Sequence, residues 1–222
     1  MIMNEYSFMF KLNSEWVDFK NMAQQTTKSN DKYNRILDAA GLVFSSRGFH
    51  QATVSEIAGT AGVADGTIYL YFKNKDDILV QFFDYKMRQV FTRFREEVGR
   101  ADDAVDKLIK LIRHHLKAFQ ADKHMAIVYQ AETRRYSRLV DDQVREMAKM
   151  YFDLLAEIIE QGQREGTIRK DLYMGLVKRF FLGAVEEVIS TWLMSDNTYD
   201  LTTMAEPLVD LVLRGIGTSD KG

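Results

Sequence analysis

The sequence predicts an all-α fold, with an N-terminal three-helix helix-turn-helix domain and a larger C-terminal helical domain. Three observations carry this. Pro207 is the only proline in 222 residues. Leu, Ala, Glu, Lys, Arg and Met dominate the long segments, and Val/Thr-rich alternating runs are scarce. The apolar share of 46% is ample for a core.

Composition also excludes several classes of function. The chain has no cysteine, so a disulfide framework, thiolate metal sites and cysteine catalysis are ruled out. Charged residues interrupt every hydrophobic stretch before the roughly 18 to 20 residues a bilayer crossing needs. The opening MIMNEYSFMFKLNSEWVDFK carries Glu5, Glu15 and Asp18 and no small-residue cleavage site, which makes it a poor signal peptide. A soluble, cytoplasmic protein is expected. The net charge of −2 gives no global sign of a polyanionic partner. From Lys28 to Lys75, however, six bases face four acids, a weak local excess of positive charge.

Residues 1–30 read as a lead-in, ending in the polar, aperiodic AQQTTKSND. Met22-Ala23 is an alternative translation start. Residues 1–21 are then an upstream artefact or a dispensable arm, and otherwise a real extra helix. The helix-turn-helix domain is expected over 31–77 and the larger helical domain over 78–222.

The first helix spans Lys32 to Arg47, with Ile36, Ala40, Val43 and Phe44 at helical spacing and Gly48 at its C-terminal end. Thr53 with Glu56 three residues later forms a capping-box pattern, so the second helix starts at Val54 and buries Val54, Ile57, Ala58 and Ala61. Gly62 stops it and Val63 plugs the corner. A short helix from Ala64 to Phe72 completes a helix-turn-helix. Asn74 caps a fourth helix from Lys75, whose stripe of Ile78, Leu79, Phe82, Phe83, Met87, Val90, Phe91 and Phe94 couples the two domains. Further helices are expected at about 102–120, 124–136, 140–162, 171–195 and 203–216. The last two are apolar over broad faces, Phe180, Phe181, Ala184, Val185, Val188, Ile189 and Trp192 on one and Leu208, Val209, Leu211, Val212 and Ile216 on the other, so a homodimer partner is expected there.

In the short helix, Ile68 and Phe72 point inward and Ala64, Asp65, Gly66, Thr67, Tyr69 and Tyr71 outward. Outward tyrosines are costly unless they touch something. Their hydroxyls can donate to phosphate, Lys73 and Lys75 can pair with it, and the Thr67 methyl can meet a thymine methyl. The competing reading lays Tyr69 and Tyr71 across a helix junction as half-buried core. Asp65 is expected to cap the helix. The second and third helices hold no lysine or arginine, so base recognition must lean on Thr, Tyr, Ala and backbone contacts.

The segment TVSEIA, AGVADGTIYLYF and NKDDIL, within residues 32–80, resembles the DNA-binding domain of the TetR family of bacterial transcriptional repressors. The resemblance implies an all-helical homodimer on double-stranded palindromic operator DNA, with residues 31–77 as the DNA-binding domain and residues 78–222 as the effector-binding and dimerisation domain. It implies contacts from Thr67 and Tyr69, with Ala64 and Gly66 on the same edge, a grip on phosphate by Tyr71, Lys73 and Lys75, and an approach by Thr53 and Ser55. No feature supports an enzyme: there is no glycine-rich phosphate loop, no nucleophile with a base and no metal-ligand spacing.

Four histidines are present. His114 and His115 are adjacent, hence about 100° apart on a helix, His50 lies in a loop and His124 begins a helix without a partner four residues on, so none is taken as a metal ligand. Glu186 and Glu187 interrupt an apolar face, either to bind a polar ligand group or simply to lie exposed. Arg134, Arg135 and Arg138 concentrate cations at one helix end, either for a phosphorylated ligand or as a solvated face. HMAIVYQAETRR and TWLMSDNTYDL, together with the helix-turn-helix, are similar to the fatty-acid degradation regulators of the TetR family. That similarity implies repression of β-oxidation genes relieved by a long-chain acyl-CoA as effector, with no other cofactor. Its head would lie at Arg134 and Arg135, and Met87, Phe91, Met125, Tyr129 and Trp192 are candidate lining. The competing effector is a lipophilic drug or cation, as in repressors of multidrug efflux pumps, for which Glu186, Glu187 and Trp192 would matter.

Overall fold

The computed structural model describes residues 29–134, 141–195 and 199–216. Its elements are α1 (Ser29–Arg47), α2 (Val54–Ala61), α3 (Asp65–Ile68), α4 (Lys75–Val98), α5 (Ala104–Ala121), α6 (Lys123–Arg134), α7 (Asp141–Glu165), α8 (Met174–Met194), a 3₁₀ turn (Leu201–Met204) and α9 (Ala205–Ile216). Residues 1–21, with their possible extra helix, lie outside the described residues, as do Arg135 and Arg138 and the side chains of Arg134 and Ile216.

Local signals place the small domain as expected. Thr53 accepts the Glu56 amide while the Glu56 carboxylate takes the Thr53 amide at 2.9 Å, a complete capping box. Gly62 then turns the chain at φ 65°, a conformation that glycine adopts without the steric cost of a Cβ. Asn74 accepts the Asp77 amide at 2.8 Å, and the Asp77 carboxylate accepts the Lys73 amide at 2.9 Å. Ile57, Ala58, Ala61, Ile68 and Phe72 are buried; Val54 is only half-buried.

Two local expectations need correction. The regular part of α3 covers only Asp65–Ile68, and Tyr69 to Phe72 continue it as a turn, with the Phe72 amide donating to Ile68 O at 2.9 Å. Asp65 does not cap that helix. The capping position falls on Ala64, whose side chain has nothing to offer, and Asp65, already helical, acts there only through its charge near the positive helix end.

α4 joins the two halves. Ile78, Leu79, Phe82 and Phe83 are buried where it lies on α1, and Met87, Val90, Phe91, Phe94 and Val98 continue the stripe against α5 and α7. Gly41 of α1 is what lets the first contact close. A Cβ there would lie 2.7 Å from the Phe82 ring, inside van der Waals contact. α5 is central, packing on α4, α6, α7, α8, α9 and the 3₁₀ turn. α6 packs on both α1 and α8, so the larger domain meets the smaller one through two helices.

The broad apolar faces of α8 and α9 are mostly spent within the chain. Phe181, Val185, Ile189, Trp192, Leu208, Val209 and Val212 are buried in its own core. What α8 leaves outward is a narrower stripe, with Leu176 at 63%, Phe180 at 58% and Met194 at 78% exposure, joined by Leu211 of α9 at 73%.

Candidate nucleic-acid interface and ligand cavity

The edge formed by α2, α3 and the turn after it presents a mixed set. Ser55, Ala64, Gly66 and Lys73 are exposed, Tyr69 is 59% exposed, and Thr67, Tyr71 and Lys75 are half-buried. A Cβ on Gly66 would meet nothing within 4 Å, so the fold itself does not require glycine there. Thr53 is exposed, but its hydroxyl is already engaged with Glu56 at 3.0 Å.

Tyr71 and Lys75 are tied inward more than their sequence pattern suggests. The Tyr71 ring stands 6.3 Å from Tyr33, which stacks on Phe72 at 5.0 Å and donates its hydroxyl to Gln81 at 3.0 Å. Lys75 Nζ donates to His50 O at 3.1 Å and Ala52 O at 2.9 Å and lies 4.8 Å over the Phe49 ring. Two of its three donors therefore hold the α1–α2 loop, and one is left over. Leu70, which no sequence pattern singled out, is 80% exposed beside Tyr69.

Two spaces meet at α4 in the larger domain. One is a cleft of about 570 Å³ between α4, α5 and the start of α6. It is lined by Lys86, Arg93, Lys110, Arg113, His114 and Lys117 against Glu96, Glu97 and Asp122. Several of these cations are occupied: Lys110 by Asp106, Arg113 by Glu206, and Lys86 by Asp38 and Asp122. Arg93 and Lys117 have no ion-pair partner among the described residues. His114 Nε2 is buried without a hydrogen-bond partner, and the ring stands edge-on to Phe94 at 5.2 Å.

The other space is a smaller cavity of about 30 Å³ lined by Met87, Phe91, Phe94, Phe119, Met147 and Leu182, with His115, Tyr129, Tyr151 and Glu186 as its polar members. Val90 lines both spaces. Of the residues singled out for a ligand, Met87, Phe91 and Tyr129 reach this cavity, and Met125 reaches the cleft. Trp192 reaches neither. It is buried at the end of α8, where its Nε1 donates to Tyr199 O at 3.1 Å and Lys123 lies 5.0 Å over its ring.

Glu186 is not on a free helix face. Gln130 Nε2 donates to its Oε2 at 2.7 Å, and His115 Nε2 lies 3.7 Å from its Oε1. Burial lowers the His115 pKa to about 3, with His114 acting in the same direction, so the ring is neutral near pH 7. Burial, reinforced by Glu186, raises the Tyr129 and Tyr151 hydroxyls and keeps them protonated. Of this polar group the sequence singles out Glu186 and Tyr129 but not His115 as a ligand contact or Tyr151, and it does not show the cationic cleft. The readable signal was the His114-His115 pair itself, because adjacent helical residues diverge and these two serve the two spaces.

Among the described residues no group of three or more His, Cys, Asp or Glu side chains could hold a metal ion, and no helix is long and apolar enough to cross a membrane. The family of bacterial regulatory proteins of the tetR type matches residues 36–82, and the C-terminal region of the YsiA-like proteins matches residues 83–215. The chain is 39% identical to the fatty acid metabolism regulator protein of Bacillus subtilis over 83% of its own length and 95% of that protein. It resembles the crystal structure of FadR from Bacillus subtilis in complex with stearoyl-CoA, with a TM-score of 0.77, 38% identity and 83% and 99% of the two chains covered. The fatty acid degradation regulator FadR from Bacillus halodurans gives a TM-score of 0.76 at 40% identity, again over 83% and 99%.

Proposed function

This chain belongs to the TetR family of bacterial regulatory proteins, and we propose from that premise that it represses fatty-acid degradation genes in the cytoplasm and leaves its operator when a long-chain acyl-CoA binds. The observation that carries the reading is its likeness, over nearly the whole of that protein, to a regulator solved with stearoyl-CoA.

Residues 31–77 are assigned to DNA and residues 78–222 to effector and dimer. Gly66, Thr67, Tyr69 and Leu70 form the edge that meets bases. Lys73, Ser55, the Tyr71 hydroxyl and the last Lys75 donor meet phosphate. Exposed Leu176, Phe180 and Met194 form the apolar seam of a homodimer, which sets two reading edges one helical turn of DNA apart, about 34 to 36 Å.

The acyl chain enters the cavity behind Val90, and the phosphorylated head lies in the cleft, where Arg93 and Lys117 are available to it. Arg134 and Arg135 stay candidates for the same head. A cavity of about 30 Å³ is far below the few hundred Å³ of a filled ligand pocket, so the chain must displace Met87, Phe91 and Met147 to fit. Met87 and Phe91 belong to α4, whose other half is packed in the DNA-binding domain, and moving them shifts the reading edges. An efflux-type sensor of cationic drugs has less support, because Glu186 is engaged by Gln130 and the neighbouring cleft is rich in bases.

The test begins by selecting operator DNA from genomic fragments with the purified protein, then adding stearoyl-CoA, free stearate or a lipophilic cation. Release by the thioester alone is expected. Release by the cation and not by the thioester overturns the reading.

A further inference from the structure

The cavity behind α4 is apolar except at one corner. There the Tyr151 hydroxyl and His115 Nδ1 are both buried, and neither has a hydrogen-bond partner among the described residues. Their residues are 2% and 5% exposed, and the two rings stand 5.4 Å apart. Glu186 Oε1, beside His115, is a third buried polar atom on this space with no hydrogen bond of its own, although Gln130 holds the other oxygen of that carboxylate. Buried polar atoms are nearly always paired, so the Tyr151 and His115 orphans facing one small space mark a place built for a polar group.

The chemistry of the two atoms is complementary. The Glu186 carboxylate lies 3.7 Å from His115 Nε2, and its negative charge favours the neutral tautomer with the hydrogen on Nε2 and the lone pair on Nδ1. Tyr151 stays protonated and donates. A donor and an acceptor then flank a space of about 30 Å³, room for one oxygen atom. A carbonyl or ether oxygen would satisfy only the donor. A hydroxyl satisfies both.

We propose that this corner reads a hydroxyl group on the acyl chain of the effector, which accepts from Tyr151 Oη and donates to His115 Nδ1. His114 faces the cleft while His115 faces the cavity, and Val90 lines both, so the corner lies where the chain leaves the head. The hydroxyl is therefore on a carbon close to the thioester, as in a 3-hydroxyacyl-CoA. The inference rests on the acyl-CoA reading above.

Calorimetric titration of the full chain with stearoyl-CoA and with 3-hydroxystearoyl-CoA, repeated on Tyr151→Phe, tests it. The unaltered protein binds the hydroxylated ligand about tenfold more tightly, the worth of a well-placed buried hydrogen bond. Tyr151→Phe, which removes one oxygen and keeps the ring, binds the two ligands alike. Equal binding of both ligands by the unaltered protein overturns the hydroxyl reading and leaves the acyl-CoA reading standing. An equal loss for both ligands in Tyr151→Phe also overturns it, since the hydroxyl would then serve the fold or the thioester carbonyl. Binding of neither ligand by the unaltered protein removes the acyl-CoA reading itself.

Discussion

Lys86 Nζ lies 2.6 Å from Asp38 Oδ1, so α4 is fastened to α1 of the DNA-binding domain by an ion pair, and the same ammonium reaches Asp122 Oδ2 at 3.0 Å. Burial works against its charge, but the hydrogen bonds to Asp38 and Asp122 outweigh that and hold the Lys86 pKa above the ordinary lysine value. Asp122 sits between α5 and α6 and accepts the Met125 amide at 2.9 Å. One side chain thus joins the smaller domain, the connecting helix and the rim of the cationic cleft.

Lys86→Met should loosen the coupling between effector and operator. The variant should bind operator DNA without effector and need about fivefold more acyl-CoA for half-release, the lower end of ordinary allosteric coupling. Fluorescence anisotropy of labelled operator during acyl-CoA titration measures this. An unchanged half-release concentration removes Lys86 from the relay.

The two lysines after α3 should separate by role. Lys73 is exposed, so Lys73→Ala should lower the slope of log affinity against log salt by about 0.9 with no change in melting temperature. Lys75 braces carbonyls of the α1–α2 loop, so Lys75→Ala should also destabilise the protein by about 1 to 2 kcal/mol. Salt titrations of operator binding alongside thermal melts distinguish the two patterns.

Phe180→Asp places a charge in the exposed apolar seam of α8 without touching the core. Sedimentation should show the dimer reduced to monomer. Operator affinity should fall by about a hundredfold, as two linked half-site contacts become one. A variant that stays dimeric moves the interface elsewhere.

Acid should destabilise the protein through His115. The unfolded chain takes up this proton below about 6.5, whereas the folded protein takes it up only below about 3. Between those values the unfolded state binds more protons, so stability is present above the window and falls as pH drops, by up to about 1.4 kcal/mol per pH unit. His114, whose pKa is lowered chiefly by burial, contributes in the same direction. Urea unfolding at pH 7, 6 and 5 should show this slope, and His115→Gln should flatten it.

Much of the α2–α3 segment was legible because its determinants are local. The Thr53–Glu56 box, the left-handed Gly62 and the Asn74 cap each act within four residues, and the inward turn of Ile68 and Phe72 follows from helical spacing. The inward use of Lys75 was not legible, because the carbonyls of His50 and Ala52 come to it only when α1, α2 and α4 have packed. Nor was Gly41, whose missing Cβ matters only because Phe82 of another helix lies over it.

The sequence by itself determined the order of the helices, the turn between α2 and α3 and the family likeness, since periodicity, caps and positive-φ glycine act over a few residues. Tertiary structure alone decided that His114 and His115 serve two different spaces, that Glu186 is held by Gln130, and that most of the apolar faces of α8 and α9 are spent inside the chain. Each of those depends on which faces of sequentially distant helices meet, and amphipathic pattern specifies that a face is buried without specifying against what.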